Sequence, residues 1–197
     1  MSRREDLATV ERALRAAGST FPTLQSIVDT RMRYRDLVPT LMHLLGQVQD
    51  NVVLEMLARA LTVREAQGKA ERPLVALYRG LPISEETSHL RWVIGNALYS
   101  LKSQLVADDI LAICGDPAQG TSRQMIVAAL WKLKSEAAFL LLIDLLFDST
   151  VRGHAISALG RFKDPRAVPW LKLSVNDENA WIRREARKAV AALAAHD

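Results

Sequence analysis

The sequence predicts an all-α fold assembled from stacked helical hairpins, and three observations point there. Arg91, Arg123, Arg152 and Arg183 follow one another at 32, 29 and 31 residues, each near the start of an apolar-striped segment. The positions three and six to seven further on repeat with them: Ile94 with Ala97-Leu98, Ile126 with Ala129-Leu130, Ala155 with Ala158-Leu159, and Ala186 with Ala189-Val190. Nothing in the chain alternates with the period of two that a half-buried strand needs. Self-similarity at about 30 residues describes units that bury their apolar side on their neighbours.

Taken in order, residues 3–17 read as a helix with Leu7, Val10 and Leu14 on one stripe and Gly18 as its C-terminal stop. Ser19 or Thr20 offers a cap for a second helix through Leu24, Ile27 and Val28. Repeat matching is poor here, so residues 1–35 are read as an N-terminal cap over the first repeat, and 36–194 as about five helix pairs, all within a single domain spanning 1–197. The first helices of the pairs fall at 37–45, 73–78, 106–113, 138–146 and 165–173. Pro165 follows Asp164, a capping residue before a Pro at the first helical position. Pro39 and Pro169 are expected to bend their helices or tighten the first turn. The second helices carry the Arg series, with Leu57 and Ala60-Leu61 as an earlier, degenerate copy in which Leu54 stands at the Arg position.

Bulk properties narrow the classes. Hydrophobic residues make up 49% of the 197 and charged residues 24%, which is a folded composition rather than a disordered one. The net charge of +4 permits acidic partners or nucleic acid without demanding either. One cysteine, Cys114, excludes an internal disulfide and lies in an apolar run, where a buried thiol is expected. The charged start Met1–Asp6 is followed by no apolar leader segment. The most apolar run, 137–147, carries Asp144 and falls well short of the roughly 20 residues a membrane span needs. A cytoplasmic chain with no membrane partner is the expectation.

Over residues 36–193 the chain resembles HEAT-repeat proteins of the short bacterial kind. The resemblance is carried by Ala167-Val168-Pro169 and Leu171 in a first helix, then Asp177, Ile182-Arg183, Ala186 and Ala189 in the second. It implies a right-handed α-α superhelix, a solenoid of about five hairpins plus the cap. It also implies a structural ladder in which an Asp of the turn and an Arg of the next helix join neighbouring units. Carried over here, the ladder pairs Asp177 with Arg183, Asp116 with Arg123 and, more loosely, Asp148 with Arg152, while Arg91 has only Glu85 or Glu86 upstream. These arginines are read as glue, because a planar guanidinium bridges a carboxylate and helix-end carbonyls together.

At 100° per residue, Val151, Ala155, Ala158, Leu159 and Phe162 share the inward side of their helix, and Gly153, Ser157, Gly160 and Arg161 lie opposite. Transferred to the other units, the outward face carries Glu55 and Arg59; Trp92, Asn96 and Tyr99; Gln124, Trp131 and Lys132; and Arg184 and Lys188 with Arg187 alongside. In a HEAT solenoid that face lines the concave side, which implies a groove with an aromatic centre and a basic C-terminal end. Exposed Trp and Tyr beside Arg is the composition of a binding hot spot.

Catalytic patterns are not visible. His43, His89, His154 and His196 stand far apart, without companions at metal-ligand spacing. Gly115 and Gly120 flank Asp116-Pro117 as a turn rather than a phosphate loop. Asp108-Asp109 opens a helix, where carboxylates suit the dipole. The expected function is therefore a non-enzymatic protein-interaction module, without cofactor or metal, whose partner presents an acidic surface. The alternative is a nucleic-acid binder, since HEAT-like DNA glycosylases cradle a duplex in such a groove. That class implies a catalytic carboxylate, and Asn96 stands where one is expected. A third resemblance, at the level of the repeat alone, is to HEAT-like subunits of bilin lyases, which act as cofactor-attachment helpers.

Overall fold

Several helices among the described residues begin at a side chain that accepts from their first N–H groups, which is why short polar residues punctuate the sequence. The computed structural model describes residues 2–194, and these form two compact units, the first ending at Val106 and the second starting at Ala107. The described residues are helical and contain no strand, so the all-α reading holds.

In the first unit, α1 (Arg3–Ala16) opens on a capping box: the Ser2 hydroxyl accepts from the Glu5 N–H, and the Ser2 N–H donates to the Glu5 carboxylate at 2.7 Å. Gly18, at φ +80°, ends it as expected. The cap of α2 (Leu24–Asp29) is Thr23, paired with Ser26, and not Ser19 or Thr20. Ser19 instead holds the turn by accepting from the Phe21 N–H. The pair α3 (Val38–Leu44) and α4 (Asn51–Ala60) follows, then α5 (Glu71–Gly80) and α6 (Glu85–Ser100). Two buried carboxylates fasten this unit. Asp6 of α1 accepts from the Gln49 and Asp50 N–H groups at 3.0 and 2.7 Å, fixing the N-terminal helix to the turn before α4. Glu71 accepts from Gly68 and Lys102 N–H groups at 2.8 and 2.9 Å, closing the loops at both ends of the α5–α6 hairpin. Each anchors backbone through one oxygen, while the other, Asp6 Oδ1 or Glu71 Oε2, is buried without a hydrogen-bond partner among the described residues.

The second unit contains α7 (Ala107–Gly115), α8 (Gln124–Ala129), α9 (Glu136–Asp144), α10 (Arg152–Phe162), α11 (Val168–Lys172) and α12 (Ala180–Ala194). Here α8, α10 and α12 pack one against the next, as second helices of a repeat array do. Pro169 sits in the first turn of α11, behind the 3-10 turn Pro165–Ala167, so the expected tightening is what the proline produces. At the ends of two second helices, Lys134 and Lys163 take left-handed conformations (φ 50° and 62°), where glycine is the usual residue.

Of the inward stripe of α10, Val151, Ala155, Ala158 and Leu159 are buried, and Phe162 is half-buried against Phe139. The outward assignment fails for two of its residues. Gly153 lies beneath the Trp181 ring, and a Cβ built on Gly160 would stand 2.8 Å from the Ala189 Cβ. The two glycines are where α12 comes down on α10. The helical wheel of one helix could not show this, because both sides of α10 are covered.

Candidate functional site

The members of the Arg series are engaged in hydrogen bonds and ion pairs whose register differs from the expected one. Arg123, almost wholly buried, donates to the Cys114 carbonyl and to Asp148, while Asp148 also accepts from the Thr150 hydroxyl and N–H at 2.6 and 2.9 Å. Arg152 pairs with Asp177 at 2.9 Å. The partner in both cases lies 25 residues on, in the next repeat of the same unit, so the pairs Asp148 with Arg152 and Asp177 with Arg183 do not form. Arg183 donates instead to the Asp177 carbonyl at 2.6 Å. Arg91 donates to the Leu81 carbonyl at 3.0 Å and stands over the Tyr78 ring. Asp116 caps its own turn through the Ala118 N–H and holds Gln119 at 2.7 Å. The difference has a simple cause. A turn aspartate first satisfies the N–H groups of its own turn, and its remaining oxygen then faces the preceding helix.

Partial burial works against ionisation of Asp148, but Thr150 and Arg123 together outweigh it and hold the carboxyl below its ordinary value. Burial pushes the Cys114 thiol up, against the pull of Arg123, so it stays protonated and inert.

Of the remaining predicted residues, the second unit draws three cations into a row. Lys132 lies on the 3-10 turn Leu130–Leu133 that extends α8, Arg161 on the last turn of α10, and Lys188 on α12. Burial, and then the like charge of Arg161, lower the Lys132 ammonium below its usual value. Arg161 and Lys188 share a concavity of about 150 Å³ with Ser157, Gly160, Glu185, Ala189 and Ala192. The small side chains that let α12 approach α10 are thus also its floor. Arg184 is exposed beside it, 3.7 Å from Glu185. Arg187, expected in this group, is turned away: it donates to the Val175 carbonyl at 2.9 Å and closes the turn after α11. Trp131 is half-buried, and its indole N–H is buried with no acceptor among the described residues.

In the first unit, Trp92, Asn96 and Tyr99 share one face of α6 and are all half-buried. Trp92 lies parallel to His89, which in turn is 3.4 Å from Glu55. Glu55 also holds Arg59 at 2.7 Å. In the second unit, Gln124 is committed to the Thr150 carbonyl at 2.9 Å.

No group of His, Cys, Asp and Glu among the described residues is placed to hold a metal. His196 lies outside the described residues. No helix among them is long and apolar enough to cross a membrane. Two features were passed over in the sequence. One is the triplet Arg31, Arg33 and Arg35 in the N-terminal cap, legible as every second residue of a short run. The other is an exposed apolar group on the first helices, where Phe147 meets Trp170 edge-on beside Leu173.

The sequence model of the HEAT repeats family matches residues 107–194, where the ladder and the α8–α10–α12 stack were found. This part of the chain is HEAT-like. Among solved structures, an engineered protein determined by a structural genomics consortium is similar over 99% of this chain and 92% of its own, at TM-score 0.55 and 16% identity. A designed armadillo repeat protein is similar over 98% of this chain and 94% of its own, at TM-score 0.55 and 15% identity. At such identity the likeness concerns the fold, which is that of α-helical repeat proteins. No curated protein matches the chain.

Proposed function

We propose that the protein is a non-catalytic interaction module whose second unit binds an acidic segment of another protein. The observation that carries this reading is the convergence of Lys132, Arg161 and Lys188, from three successive repeats, beside a small concavity floored by Gly160, Ala189 and Ala192. Like charges held together on a rigid scaffold favour an anionic partner, and the concavity is large enough to accept the end of one side chain. Arg184 stands at the rim, and Trp131 supplies a partly exposed aromatic of the kind that anchors interfaces. Trp92, Asn96 and Tyr99 offer a second contact face on the first unit. Helical repeat folds generally serve as protein-interaction scaffolds, which agrees with this reading without naming a partner.

The experiment is affinity capture from the native host with the wild-type chain and with Arg161→Glu/Lys188→Glu, both confirmed folded by circular dichroism. The charge-reversed chain is expected to lose the captured protein. Equal recovery by both chains would assign the interaction to another surface.

A further inference from the structure

We infer that the first unit carries a separate binding site for a small oligophosphate anion, formed by the loop ending at Arg35 and the loop 64–69. Arg33, Arg35, Arg64 and Lys69, with Glu65 and Gln67, line a concavity of about 510 Å³. Its cations greatly outnumber its anions. Glu65 is the sole carboxylate in the lining and stands 3.6 Å from Arg33. The side chains of Arg35, Arg64 and Lys69 make no ion pair or hydrogen bond with any described residue. These four exposed cations around one depression raise the local positive potential, which favours an anion there.

Both walls are tied to the core by buried residues and hydrogen bonds. Tyr34, between Arg33 and Arg35, is buried, donates its hydroxyl to the Ala60 carbonyl at 2.9 Å and meets Phe21 edge-on. Burial, with Glu65 nearby, pushes this phenol up to about 12, so the anchor remains a donor at neutral pH. The neighbouring Met32 N–H is held by the Thr30 hydroxyl at 3.0 Å. On the opposite wall Ala66 is wholly buried, and the Gly68 N–H is held by Glu71. Two anchored loops thus present Arg35, Arg64 and Lys69 without ion-pair partners among the described residues, beside the Arg33–Glu65 pair.

The chemistry of the donors selects the ligand class. Three guanidinium forks and an ammonium match the tetrahedral oxygens of phosphate, which accept paired N–H groups. A single phosphate engages one or two such forks, so the spread of four cations fits two or three linked phosphates. The volume lies within the range of small-molecule sites, and its concave form suits a compact anion better than an extended strand.

The test titrates the full chain with pyrophosphate, tripolyphosphate and ATP by calorimetry, at constant ionic strength set with sodium chloride. The comparison variants are Arg35→Gln/Arg64→Gln in the site and Arg4→Gln/Arg12→Gln on the exposed side of α1, which remove the same charge. Wild type and the α1 variant are expected to bind tripolyphosphate alike, with the site variant weaker by about tenfold or more. Binding also raises the melting temperature of the wild type more than that of the site variant. Tighter binding of ATP than of tripolyphosphate assigns the ligand to nucleotides, and the reverse order to inorganic oligophosphate. The inference is overturned by no binding above the chloride background, by equal loss in both variants, or by a DNA duplex that binds more tightly than tripolyphosphate and is lost with the same residues.

Discussion

Gly160→Ala tests a close approach between two second helices, because its sign depends on whether α12 rests on α10 as described. In an unobstructed helix this change stabilises by about 0.5–1 kcal/mol, since alanine loses less backbone freedom on folding. Here the new Cβ would lie 2.8 Å from the Ala189 Cβ and 3.0 Å from its Cα. Ordinary carbon contacts are about 3.5–4.0 Å, so α12 must withdraw by roughly half an ångström or more. The obstructing atoms belong to the backbone and its first carbon, and no rotamer change relieves them. Overpacking of this kind costs about 1–3 kcal/mol against a gain of about 0.5–1 kcal/mol, leaving a net loss centred on about 1 kcal/mol. Urea unfolding followed by circular dichroism reads this as a lower midpoint at unchanged slope. Gly80→Ala is the control, because nothing lies within 4 Å of a Cβ there and the change should be neutral or stabilising. If Gly160→Ala stabilised as much as Gly80→Ala, the packing of α12 on α10 would be wrong.

Three further predictions follow from the second unit. In double-mutant cycles, Arg152→Ala and Asp177→Asn should couple by about 0.5–1 kcal/mol, whereas Arg183→Ala and Asp177→Asn should be close to additive, because Arg183 uses the Asp177 carbonyl. The reverse pattern would restore the within-unit pairing. Lys163→Gly should raise stability by about 1 kcal/mol, since a left-handed residue with a side chain is strained, and an unchanged melting temperature would mean the turn relaxes in solution. Burial lowers the His154 imidazole below its usual 6.5. The unfolded chain therefore takes up the proton first as pH falls through that value, and stability declines from about pH 6.5 downward toward the lowered folded value. His154→Gln should flatten that part of the profile, and an identical slope in the variant would assign it to other groups.

The periodic part of the structure was legible because repeats advertise themselves. Ile94, Ile126, Ala155 and Ala186 recur at a spacing that only mutual burial explains, and all four are buried. The caps were partly legible: Asp164 and Gly18 act as read, while Thr23 displaced Ser19 because its reciprocal partner Ser26 completes a capping box. What local pattern could not show is which neighbour a side chain meets. Arg152 reaches the next turn instead of its own, Arg187 turns back to a carbonyl, and Gly153 hides under Trp181. Each depends on where a second helix lies, and one helix's periodicity contains no such information. The cations Lys132, Arg161 and Lys188 were singled out by transferring positions between repeats, which is possible where the repeats are close copies. The basic loops around Arg35 and Arg64 belong to the cap and to an irregular connection, where no copy exists to align.

The claim that the second unit is an acid-binding face is tested most directly by titrating a purified captured partner into wild type and into Arg161→Glu/Lys188→Glu, at low and at high salt. The proposal predicts wild-type binding that weakens as salt rises, and a loss of about tenfold or more in the variant at low salt, because like charges now face each other. Salt-independent binding of the same strength by both chains would contradict it.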